Sequence, residues 1–136
     1  KKVSGPLLDR IDLQINVPRV KVEELGTKNN TSQKETSSMR EKVIEARNIQ
    51  TARFNEAKLK IFTNSELSSK QCDNLANVEP VGIKFLENYS NKNYLSARGY
   101  YRTIKVGRTI ADLENSPTIT ERHLAEAVSY RIREEE

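Results

Sequence analysis

The sequence predicts an all-α bundle of four to five helices, preceded by a short strand-bearing, flexible N-terminal arm. Three observations carry that expectation. Only 35% of the 136 residues are hydrophobic and 31% are charged, and one apolar stripe per helix is enough to close a bundle, whereas a sandwich must fill two sheet faces. From residue 38 onward apolar residues recur at helical spacing behind capping residues. Between bundle and arm, residues 26–36 (GTKNNTSQKET) hold no apolar side chain and read as a flexible linker.

In the arm, Ile11, Leu13, Ile15 and Val17 alternate with Asp12, Gln14 and Asn16. That period of two predicts a half-buried strand over 11–17, which Pro18 ends. A lone strand is unstable in water, so its sheet partners are expected elsewhere. Together with the missing initiator Met, this predicts a piece of a longer protein. Ser38 with Glu41 forms an expected capping box, and Met39, Val43, Ala46, Ile49 and Phe54 follow at helical spacing. Asn64 or Ser65 is the expected cap of a short helix over Leu67–Leu75. Pro80 suits a first helical turn, with Val81, Phe85, Leu86 and Tyr89 on one face.

Ser96 is the expected cap of the longest helix. Tyr100, Ile104, Gly107 and Ala111 make one stripe, and Thr103, Val106, Ile110 and Leu113 the next. Arg98, Arg102, Lys105 and Asp112 are placed on the opposite face. Gly107 costs about 1 kcal/mol against Ala in mid-helix, which predicts a neighbouring backbone packed closely there. Asn115-Ser116-Pro117 ends the helix. Thr120 is the expected cap of the last one, with Ile119 and Leu124 as a hydrophobic staple, and Leu124, Val128 and Ile132 inward.

Much chemistry is excluded. There is no G-x-x-x-x-G-K-[ST] loop. His123 and Cys72 are the only His and Cys, so a nitrogen–sulfur metal site is excluded, the metal set is empty, and neither a Ser-His-Asp nor a Cys-His pair has support. Both residues read as structural, with His123 facing water. A single cysteine leaves no internal disulfide and fits a reducing, cytoplasmic interior. No run is long enough for a membrane span. The net charge of +4 is too small to name nucleic acid as a partner.

GPLLDRIDLQINVPRV (5–20) and LSARGYYRTIKVGRTIADLENSPTITERHLAEAVSYR (95–131) together resemble the C-terminal end of ComM/YifB-type proteins. Those are AAA+ ATPases related to the ATPase subunit of magnesium chelatase. The resemblance implies that 1–25 is the C-terminal end of an AAA+ core, 26–36 the linker, 37–132 the helical lid and 133–136 a frayed tail. It implies that Arg10, in LLDR, is an arginine finger acting on the nucleotide of a neighbouring subunit. The alternative is that Arg10 pairs with Asp9 or Asp12. Arg98, in LSAR, takes the place of a sensor-2 arginine on the γ-phosphate, against the alternative of a solvated face. A cation is disfavoured in a first helical turn, which favours a functional reason for Arg98. Arg102 and Lys105 stand between a solvated face and a phosphate or DNA contact.

By the same resemblance the parent is a hexameric ATPase that uses ATP and Mg2+, while the isolated fragment is no enzyme and holds no cofactor. Its partners are its own core and neighbouring subunits, with DNA as the substrate of helicase-like branch migration. Two alternatives stand beside that reading. One is the ATPase subunit of a magnesium-chelatase-type complex; the other is a free-standing helical binding module.

Overall fold

A computed structural model describes residues 5–8, 10–19 and 32–131. Gly5–Leu8 form a single helical turn, α1. Five longer helices follow: α2 (Ser32–Glu56), α3 (Ser69–Leu75), α4 (Pro80–Asn93), α5 (Ala97–Leu113) and α6 (Glu121–Ser129), with a 3-10 turn at Asn64–Glu66. The all-α expectation holds. Helix α5 lies at the centre, against α2, α3, α6 and the 3-10 turn, and α4 packs on α6. The core gathers Phe54, Leu67, Cys72, Ala76, Leu86, Ile104, Ala111, Ile119 and Leu124.

The arm forms no strand among the described residues. Its alternation needs a neighbouring strand to pair with, and none is there. Leu13 and Ile15 border a groove shared with Val106 and Ile110 of α5 and Tyr130 beyond α6, yet Ile15 stays 67% and Val17 80% exposed. The Gln14 N–H donates to the Tyr130 carbonyl at 2.8 Å.

Helix α2 starts at Ser32, earlier than the Ser38 cap expected from the sequence. Gln33, Lys34 and Glu35 are good helix formers with no breaker among them, so a stretch without apolar residues still propagates the helix. The expected linker therefore loses its last residues to α2; 26–31 lie outside the described residues, as do Ile132 and the tail. The buried face of α2 also differs from expectation. Ala46, Gln50 and Phe54 are inside, whereas Met39 is 66% and Val43 50% exposed. Ser68, not Asn64 or Ser65, caps α3, and its hydroxyl accepts from the Gln71 N–H.

Pro80 opens α4. Leu86 is buried and Phe85 and Tyr89 are half-buried, but Val81 is exposed and Gly82 takes the inward place beside it. Helix α5 is capped by Ser96, whose hydroxyl accepts from Gly99 N–H at 3.0 Å. A Cβ on Gly107 would stand 2.9 Å from Leu124 Cδ2. The close approach expected at Gly107 is therefore real, though the neighbour is a side chain and not a backbone. Ile119 and Leu124 are both fully buried, as a staple requires.

His123 corrects the sequence reading, because it is 2% exposed and does not face water. Its Nδ1 accepts from the Thr120 N–H at 3.0 Å, so the ring proton sits on Nε2, 3.1 Å from Glu114 Oε2. The imidazole both closes the N-terminus of α6 and ties it to the end of α5. Hydrogen bonds from Arg122 and then from His123 pull the Glu114 carboxyl down to about 2 from 4.5. A lowered carboxyl stabilises the fold above the unfolded value and loses that contribution as pH falls from about 4.5 toward 2. Glu114→Gln is expected to flatten the pH dependence of the urea midpoint across that window. The effect is small, since Glu114 and Arg122 side chains are 37% and 68% exposed.

Candidate anion groove at the start of α5

Arg98 is the second residue of α5. The four residues from Arg98 to Arg102 make about one turn and those to Lys105 about two, so the three cations lie along one side of the helix. Across from them stand Leu67, Ser68 and Ser69 at the start of α3. Together with Ala97 and Tyr101 these residues line an open groove of about 520 Å³. The groove has three cationic side chains and no carboxylate in its lining. Its walls are held by the two helix caps, and the Tyr101 hydroxyl donates to Asp73 Oδ2 of α3 at 3.2 Å. Tyr100 meets Tyr101 edge to face, with ring centroids 5.4 Å apart.

The four residues singled out in the sequence are placed differently from one another. Arg98 is exposed at the groove mouth. Arg102 is bound to its own chain: Nη1 donates to the Arg10 carbonyl at 2.6 Å and to the Asp12 carboxylate. Lys105 Nζ donates to the Ser65 carbonyl at 3.0 Å. Arg10 has an exposed side chain; Asp12, one of its two expected partners, is paired with Arg102, and Asp9 lies outside the described residues. The structure thus brings Arg98, Arg102 and Lys105 to one groove and links Arg10 to it through Arg102.

A second polar centre went unread in the sequence. Asp112, expected on the outer face, has a fully buried side chain. Arg53 of α2 donates to both of its oxygens, Asn64 Nδ2 donates at 2.9 Å and Arg108 Nε at 3.1 Å. Arg108 is 1% exposed and also donates Nη1 to the carbonyls of Ala76 at 3.0 Å and Pro117 at 3.1 Å. Burial pushes the Arg108 guanidinium below its ordinary value, and Asp112 opposes that shift. The signal was present: Ile104, Arg108 and Ala111 fall at i, i+4 and i+7 on the buried stripe, and Asp112 follows Arg108 by four. The Asp112 carboxylate is fully buried and accepts from Arg53, Asn64 and Arg108. Among the described residues no cluster of His, Cys, Asp or Glu could hold a metal ion, and no helix is long and apolar enough to cross a membrane.

Residues 33–131 match the family model described as magnesium chelatase, subunit ChlI C-terminal. The chain is 42% identical over 132 residues to "Competence protein ComM" of Haemophilus influenzae, covering 96% of this chain and 24% of that protein. It is 34% identical over 130 residues to "Uncharacterized protein YifB" of Escherichia coli, with the same shares covered. The chain spans about a quarter of the length of these curated relatives.

Proposed function

Because the chain belongs to the family of the magnesium chelatase ChlI C-terminal domain, within the AAA+ proteins, we propose that it is the helical lid of a hexameric ATPase. The observation that carries the reading is the exposed Arg98 in the groove at the start of α5, whose lining holds no carboxylate. A guanidinium there suits a phosphate, whose oxygens accept several N–H donors at once. ATP with Mg2+ would supply the scissile phosphoanhydride and the charge that must be neutralised when it breaks.

Each residue then has a stated task. Arg98 donates to the terminal phosphate bound in its own subunit, and the unfavourable placement of a cation in the first turn of α5 is relieved by that anion. Arg10, exposed on the arm, reaches the nucleotide of a neighbouring subunit and meets the charge spreading over the transferring phosphoryl group. Lys105, held by the Ser65 carbonyl, adds positive field two turns along α5. The phosphate-binding loop, which has no counterpart in this sequence, comes from the part of the longer protein that this chain does not span. Binding at Arg98 tilts α5, so nucleotide state becomes lid position.

The work driven is remodelling of DNA in a helicase-like, branch-migrating manner, as the resemblance to ComM/YifB-type proteins implies. The test is steady-state ATP hydrolysis by the full-length protein with and without branched DNA. Stimulation several-fold by the branched form is the expected result. Hydrolysis without stimulation would move the reading to the ATPase subunit of a magnesium-chelatase-type complex, which the family description favours. No hydrolysis at all would leave a helical binding module.

A further inference from the structure

We propose that Arg102 is a positioning residue that fixes the Arg10 segment to α5, one helical turn beyond Arg98. The inference rests on the reading of Arg10 as an arginine finger. Arg102 Nη1 holds the Arg10 carbonyl at 2.6 Å and the Asp12 carboxylate, across 92 and 90 positions of sequence. The Arg10 N–H donates back to the Leu7 carbonyl at 3.1 Å. The turn that presents Arg10 therefore ends at the peptide unit that Arg102 grips. A second anchor lies four residues on, where the Gln14 N–H meets the Tyr130 carbonyl at 2.8 Å at the end of α6. Between the two, Leu13 rests against the groove of Val106, Ile110 and Tyr130.

The segment is thus fastened to the α5–α6 pair while the Arg10 side chain stays exposed. The Arg102 and Asp12 side chains are 28% and 44% exposed, and a pair so open to water adds little to folding. Its consequence is geometric. A finger acts only when its guanidinium reaches the phosphate within hydrogen-bond distance, and misplacement by about 1 Å can cost about a hundredfold in rate. Arg98 and Arg102 stand four residues apart on one rigid helix, about 6 Å along its axis. Movement of α5 at Arg98 is therefore carried to the Arg10 carbonyl, which couples the subunit's own nucleotide to the arginine it offers its neighbour. By linkage the coupling runs equally in reverse for binding.

The first arm of the test uses this chain and reads amide exchange. With Arg102→Ala, the Gln14 amide is expected to exchange about tenfold faster or more while the amides of α5 and α6 keep their protection. Unchanged Gln14 exchange would overturn the latch, whatever the parent hydrolyses. The second arm uses the full-length ATPase. Arg102→Ala should lower kcat about tenfold or more with KM for ATP unchanged, because a finger acts in the transition state. Arg102→Lys, which keeps the charge but loses the planar fork, should restore part of it. A raised KM with unchanged kcat would make Arg102 a direct phosphate contact and overturn the positioning role. If Arg10→Ala itself hydrolyses normally, the finger reading fails, and the catalytic part of the inference with it; the exchange arm then reports on the latch alone.

Discussion

Replacing Asp112 with alanine is expected to destabilise the bundle by about 3–5 kcal/mol, the cost of leaving buried charge without its partner. Asp112 is the acceptor at which α2, the 3-10 turn and α5 converge: Arg53, Asn64 and Arg108 all donate to it. Without the carboxylate, Arg108 at 1% exposure keeps its charge beside backbone carbonyls alone, and Arg53 is left with Asn64 Oδ1 at 3.2 Å as its acceptor. Against a total stability of about 5–15 kcal/mol for a domain, that loss is large. Urea unfolding followed by circular dichroism measures it. Arg108→Met is the companion, since it removes the buried cation with a side chain of useful length and leaves Asp112 bound by Arg53 and Asn64; it should cost less. A loss for Asp112→Ala below about 1 kcal/mol would mean that the cations swing out to water and that the network does not organise the fold.

Arg10→Ala in the full-length protein is expected to lower kcat by about 10³-fold or more, the range that an arginine finger supplies to phosphoryl transfer. The reason is electrostatic. As the terminal phosphoryl group separates, charge spreads over its oxygens, and a guanidinium can meet two of them at once. Folding should be untouched, because the Arg10 side chain is exposed. The role in trans is tested by mixing: Arg10→Ala subunits are combined with subunits defective in ATP binding. Recovery of hydrolysis beyond or below simple dilution would show that the arginine serves a neighbour. Activity that follows dilution alone would remove the trans role and leave Arg10 as a surface cation.

Several features were legible from residues alone because the physics is local. Pro80 has no N–H to lose at a first turn, Ser96 supplies a hydroxyl to the Gly99 N–H, and the Ile104–Gly107–Ala111 stripe needs only the helical period to be seen. Ile119 and Leu124 could be paired as a staple from spacing alone. The start of α2 is not legible for an equally local reason: periodicity reports burial and not helix propensity, so a polar stretch that is helical looks like linker. Arg98, Arg102 and Lys105 were brought to one side of a helix by spacing, yet spacing could not tell which of them were already engaged.

What the sequence determined by itself is the fold class, the order of the helices, the first turn at Pro80 and the caps Ser96 and Thr120, because these follow from short-range backbone chemistry and from the apolar period; the family came from the resemblance of residues 5–20 and 95–131. What only the tertiary structure decided is which charges are inside, which are paired within the chain and which stay exposed. Asp112 was placed outside by its charge, but three donors from three elements make its burial favourable. Spacing alone does not decide between solvent and phosphate for Arg102, but an arm about 90 residues earlier supplies its acceptors. His123 faces the end of α5 because Glu114 and the Thr120 N–H are both there to receive it. A buried or anchored polar group is stable only with its partners in place, and partners from distant parts of the chain meet only once the helices have packed.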